Sequence, residues 1–151
     1  MKHLIRSGLV LASAAGLSAA RPPAVAGSLT MVVTGGPYAG TYHPRADRLL
    51  CFYAKDADRY GATFRDEKAN TPRSLVAGGI VVRRPYVAGA KTGDLHVTFG
   101  TDAKNSMSYD VDDVPVTMTL KGKGADLDGV AKTKEGVSLH VTASCTTTDA
   151  V

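Results

Sequence analysis

From Gly27 onward the chain alternates apolar and polar residues in short runs separated by Gly, Pro, Asp and Asn. No window of about 11 residues holds a 3.6-residue period, so the pattern predicts strands and no helix. Leu29, Met31 and Val33 alternate with Ser28, Thr30 and Thr34 in a first strand, where Val32 breaks the polar face. Gly35-Gly36-Pro37 turns the chain and Gly40-Thr41-Tyr42 reads as a short second strand. Leu49 to Ala54 is apolar on both faces, which predicts a central strand covered on each side.

Tyr60 to Arg65 and Leu75 to Arg83 follow as strands, the second weakened by Gly78-Gly79, which marks a bulge or a bend. Leu95, Val97 and Phe99 point one way while Asp94, His96 and Thr98 point the other. After a turn at Asp102 to Asn105 come two runs, Met107, Tyr109 and Val111, then Val114, Val116, Met118 and Leu120. Ala125 to Thr133 and Val137 to Cys145 form a hairpin about Lys134-Glu135-Gly136, with Val137, Leu139, Val141, Ala143 and Cys145 inward and Ser138, His140, Thr142 and Ser144 outward.

About eight or nine short strands with regular turn signals predict an all-β domain, an antiparallel β-sandwich of immunoglobulin-like architecture. A small closed β-barrel is the alternative. Cys51 on an apolar strand and Cys145 on the last strand are placed to form one inter-sheet disulfide. The chain has no Trp, so the architecture is expected without the buried Trp of immunoglobulin domains. No internal repeat, low-complexity segment or second domain is visible, so residues 27–151 read as a single domain.

Residues 1–26 carry the pattern of a secretory leader: Lys2, His3 and Arg6, an apolar stretch from Leu9 to Ala20, and Ala24-Val25-Ala26 before Gly27. Cleavage is expected after Ala26, which leaves no transmembrane segment, and the apolar run is short of the ~20 residues that span a bilayer. No cysteine precedes Cys51, so a lipid-modified N-terminus has no acceptor. The expected location is periplasmic or extracellular.

The leader also changes the charge argument. Removing Lys2, Arg6 and Arg21 takes the 18 basic residues to 15 against 14 acidic ones, so the apparent basicity largely leaves with the leader. A nucleic-acid partner is not expected from so balanced a domain. The remaining charge is uneven: Gly27 to Gly93 holds ten basic and five acidic residues, Asp94 to Val151 five and nine, which neighbouring strands can neutralise.

The candidate chemistry is sparse. No G-x-S-x-G, H-E-x-x-H, C-x-x-C or Walker pattern occurs, and His43, His96 and His140 sit beside no recognisable nucleophile. A small secreted hydrolase is therefore the least favoured reading. Asp56, Asp58, Gly61 and Glu67 match the spacing of a twelve-residue calcium loop, although Tyr60 and Thr63 depart from it and an Asp-rich turn explains the same residues. Asp94 and His96 share a strand face, and with His140 they would make a zinc-type site if the strands were neighbours. No cofactor is expected, with calcium or zinc possible at these residues. Arg73, Arg83, Arg84 and Tyr86 form a basic, partly aromatic edge for an anionic polysaccharide, an acidic lipid head group or a protein. The residues favour an exported, non-enzymatic binding or structural module with a protein or cell-surface partner, and a metal-binding domain as alternative.

Overall fold

The computed structural model describes residues 27–66, 71–100 and 105–150. The expected leader at 1–26, Glu67 of the candidate calcium loop and residues 102–104 of the expected turn lie outside the described residues. Among the described residues ten strands are formed: β1 (Gly27–Thr34), β2 (Gly40–Tyr42), β3 (Leu49–Ala54), β4 (Arg59–Arg65), β5 (Leu75–Arg83), β6 (Lys91–Gly100), β7 (Ser106–Lys121), β8 (Gly124–Lys132), β9 (Ser138–Cys145) and β10 (Asp149–Ala150). A 3₁₀ turn, Ala46–Arg48, precedes β3.

All ten belong to one hydrogen-bonded sheet in the order β10-β3-β4-β5-β6-β7-β8-β9-β1-β2. Every pairing is antiparallel except the short parallel one between β10 and β3. The all-β, antiparallel expectation therefore stands, while the expected pair of separate sheets is replaced by one continuous sheet. Nor is the ladder a closed barrel, because β2 and β10 are its two ends. One sheet suffices because it curls until its concave face packs on itself. β1 touches β3, β4 and β5 although the ladder places them far apart.

The concave core holds the inward half of each alternation: Leu29, Met31 and Val33 on β1, Tyr60, Ala62 and Phe64 on β4, Leu95, Val97 and Phe99 on β6, and Leu139, Val141, Ala143 and Cys145 on β9, all buried. The Cys51–Cys145 disulfide links β3 to β9, with Cα atoms 5.9 Å apart, across the interior of the curl. It joins two distant parts of one sheet, since β4 to β8 lie between them in the ladder.

Bulges and small residues supply the curvature. Register shifts occur between Leu75 and Ala77 and between Gly93 and Leu95, and bulges sharpen local twist. The second shift sits opposite Asp112-Asp113, where Asp113 takes φ 56. The two runs expected at Met107–Val111 and Val114–Leu120 are therefore one strand, β7, of 16 residues. Its first part pairs with β6 and its last part with β8, so the bulge redirects the sheet without breaking the ladder. A Cβ on Gly78 would stand 2.5 Å from the Met31 sulfur, so glycine there lets β1 and β5 approach across the core.

The expectation that Leu49 to Ala54 is covered on both faces is corrected. β3 has only the two residues of β10 beyond it, and Leu50 is 43% exposed. The outer face receives partial cover because the Phe52 ring lies over Gly61, where a Cβ would come within 2.5 Å of it.

Candidate functional site

Asp56 and Asp58 of the calcium-loop spacing are described, while Glu67 is not. Asp56 and Asp58 lie in the tight β3–β4 turn, closed by Asp58 N–H donating to the Lys55 carbonyl at 3.2 Å. The next seven residues are β4, extended at about 3.3 Å each, which carries the chain on the order of 20 Å from that turn. The Asp-rich turn is therefore what these residues build, with Asp58 at φ 48 accepting from the Tyr53 hydroxyl at 3.4 Å.

Asp94 and His96 do share the outer face of β6, but His140 is on β9, with β7 and β8 between. His140 Nε2 lies 3.1 Å from Asp128 Oδ1 of the adjacent β8. Asp94 is engaged by Arg83, whose guanidinium also reaches Asp113. His96 stands opposite Asp110 in the ladder. Burial pushes the His96 imidazole below its ordinary 6.5, against the opposing pull of Asp110 and Asp94. Among the described residues no three His, Cys, Asp or Glu side chains converge to hold a metal ion.

The basic edge is also divided. β5 is interior to the ladder, so Arg83 guards no edge. Arg73 precedes β5 and Arg84 follows it, at opposite ends of a nine-residue strand. The expected neutralisation between the two halves of the chain is seen where Arg83 meets Asp94 and Asp113. Arg84 begins the β5–β6 turn with its N–H donating to the Asp58 carbonyl at 2.8 Å and an uncommon φ of 48 for a non-glycine residue.

The outer face of β7, β8, β9 and β1 is a hydroxyl and carboxylate surface. Ladder neighbours there are Thr117, Asp128, Thr142 and Thr30, then Thr119, Asp126, Ser144 and Ser28. These groups partner one another: Ser144 Oγ donates to Asp126 at 2.8 Å, and Lys121 also meets Asp126. Thr30 Oγ1, half-buried, lies 3.2 Å from the exposed His43 Nδ1.

The curled sheet leaves an opening at each end of the core. At the end where β1 meets β2 and β8 meets β9, Gly36, Pro37, Met107, Ser108, Tyr109, Glu135 and Val137 surround a space of about 420 Å³. At the other end, the lower mouth, Tyr53, Tyr60, Tyr86, Leu120, Lys123 and Thr148 surround about 260 Å³. Tyr53 and Tyr60 face each other in the β3–β4 ladder, and the β5–β6 turn sets Tyr86 edge-on to Tyr53 with ring centroids 4.9 Å apart. The Tyr60 hydroxyl lies 3.0 Å from Thr148, which donates to the Lys123 carbonyl at 2.8 Å. Burial raises both the Tyr53 and Tyr60 phenols above their ordinary value of 10, so both are neutral at physiological pH.

The lower mouth carries two of the exposed large apolar side chains, and a third, Val87, neighbours it in the β5–β6 turn. Tyr86 is 54% exposed, Val87 54% and Leu120 57%. Of the residues around this mouth the sequence singles out Tyr86, while Arg84 stands beside it in the β5–β6 turn, and Tyr53, Tyr60, Leu120 and Lys123 are missed. A signal was available for two of them: Tyr53 and Tyr60 bracket one tight turn, and cross-strand partners share a face. Leu120 and Lys123 reach the mouth only through the order of the strands. Comparison with protein-family models, with curated proteins and with solved structures finds no match.

Proposed function

We propose that this chain is an exported, non-enzymatic binding module that engages a cell-surface or protein partner through the lower mouth of its curled sheet. One observation carries the reading: Tyr86 and Leu120, both more than half exposed, meet from two separate hairpins at a tyrosine-lined opening, with exposed Val87 next to Tyr86 in the same turn. Leaving such side chains in water forgoes the stabilisation of burying them, and clustered apolar exposure marks interaction surfaces. Loops on a rigid sheet are the usual place for such contacts. Export is supported by the leader pattern of residues 1–26 and is compatible with the Cys51–Cys145 disulfide. A non-enzymatic role is supported by His43, His96 and His140, which contact Thr30, the β6–β7 face and Asp128, with no nucleophile, base and orienting group in series among the described residues.

The test is retention of the oxidised full chain on an immobilised cell-envelope fraction. Wild type should be retained and Tyr86→Ser/Leu120→Ser should not, whereas Met107→Ser at the opposite opening should behave as wild type. Equal retention of all three proteins overturns the reading.

A further inference from the structure

We propose that the occupant of the lower mouth is a bilayer surface bearing anionic lipid, with the β5–β6 and β7–β8 turns seated at headgroup depth. This rests on the reading of the mouth as the binding surface and names its partner. Two hairpin tips each set an apolar point beside cations. In the first, Arg84 and Lys91 flank Tyr86 and Val87. In the second, Lys121 and Lys123 follow Leu120. Val87 in the β5–β6 turn and Leu120 near the end of β7 are aliphatic and exposed, which suits shallow insertion between lipids. A polysaccharide would stack on the tyrosines and leave both aliphatic side chains in water.

Charge points the same way. Arg84 and Lys123 have no carboxylate within ion-pair distance among the described residues, while Lys121 is held by Asp126 and Lys91 by the Val87 carbonyl. Lys55 and Arg59 stand at the same end, against Asp56 and Asp58. Unpaired cations beside an apolar point are what an anionic leaflet attracts. The tyrosines fit the same depth, with ring bodies toward the apolar side and hydroxyls toward water. Arg84 adds an independent sign: it keeps a positive φ, a conformation that Gly or Asn would adopt at less cost, and such outliers gather where a side chain is needed for contact.

The experiment is co-sedimentation of the oxidised full chain with phosphatidylcholine vesicles, with and without phosphatidylglycerol, at low and at raised salt. Residues 1–26 are common to all variants, so differences between variants report on the mouth. Wild type should bind the anionic vesicles and release from them as salt rises. Arg84→Gln/Lys123→Gln should weaken the partition about 25-fold, about fivefold for each cation removed. Val87→Ser/Leu120→Ser should abolish binding although every charge is kept. The chain has no Trp, so tyrosine emission follows the same titration directly. Equal binding to neutral and anionic vesicles, or equal binding of wild type and both variants, overturns the proposal. Envelope retention that needs Tyr86 and Leu120 without any vesicle binding also overturns it, and leaves the binding-module reading standing with a protein or polysaccharide as partner. Loss of both ends both.

Discussion

Arg83 of β5 grips both carboxylate oxygens of Asp94 on β6, Nε donating at 3.2 Å and Nη2 at 2.7 Å. Its third nitrogen donates to Asp113 Oδ1 at 2.6 Å, and Asp94 Oδ1 accepts the Asp113 backbone N–H at 3.2 Å. The pair thus braces the β7 bulge from outside and satisfies the backbone that the bulge exposes. Bidentate charged contacts of this kind are directional as well as attractive.

The two carboxylates should therefore differ under mutation. The Asp94 side chain is 19% exposed and that of Asp113 is 68% exposed. Asp94→Asn should cost about 1.5 to 3 kcal/mol, and Asp113→Asn under about 1 kcal/mol, in urea unfolding at neutral pH. Equal costs would show that the bulge does not depend on the Arg83–Asp94 contact.

The disulfide should matter more than any single core contact. Cys51 and Cys145 are 94 residues apart in sequence, and in the chain-entropy model closing such a loop stabilises by about 4 to 5 kcal/mol. Cys145→Ala, or reduction of the wild type, should lower the unfolding midpoint by several degrees or more in a thermal scan. An unchanged midpoint would show that packing alone holds the curl.

Register on β9 can be checked at two adjacent residues. Leu139 is fully buried, while the His140 side chain is 46% exposed. Leu139→Ala should cost about 2 to 5 kcal/mol by chemical denaturation, and His140→Ala under about 1 kcal/mol. Similar costs would mean that the strand is displaced by one residue.

His96 should make the fold sensitive to mild acid. Burial holds its imidazole below the ordinary 6.5, so between that folded value and 6.5 the unfolded chain binds more protons than the folded one. The contribution is present above pH 6.5 and is lost as pH falls through the folded value. His96→Gln should flatten the decline in stability between neutral pH and pH 5, measured by urea midpoints. A decline as steep as in the wild type would assign it to other groups.

The strands themselves were legible in the sequence. Leu75 to Arg83 is β5 residue for residue, Gly40 to Tyr42 is β2, and the inward set on β9 is the buried set. The Cys51–Cys145 pairing was legible too, since two inward cysteines in an all-β chain have one partner each. What misled was apolarity without position. Leu49 to Ala54 reads as a central strand, but Phe52 and Leu50 face outward near the end of the ladder, one over Gly61 and one in water. Asp56 and Asp58 matched the start of a ligand spacing, but they build a tight turn that an extended strand follows at once.

What the sequence by itself determined was therefore face and element: period-two alternation states which side of a strand is inward, because successive side chains point to opposite faces whatever lies next to them. Only the tertiary structure decided how many sheets there are and which residues meet. Pairing and curvature are non-local, set by the bulge at Asp112-Asp113, by the approach of Met31 to Gly78 and by the closure of β3 on β9. His140 was parted from Asp94 and Tyr86 was brought to Leu120 by the same curled ladder, and no spacing along the chain encodes either.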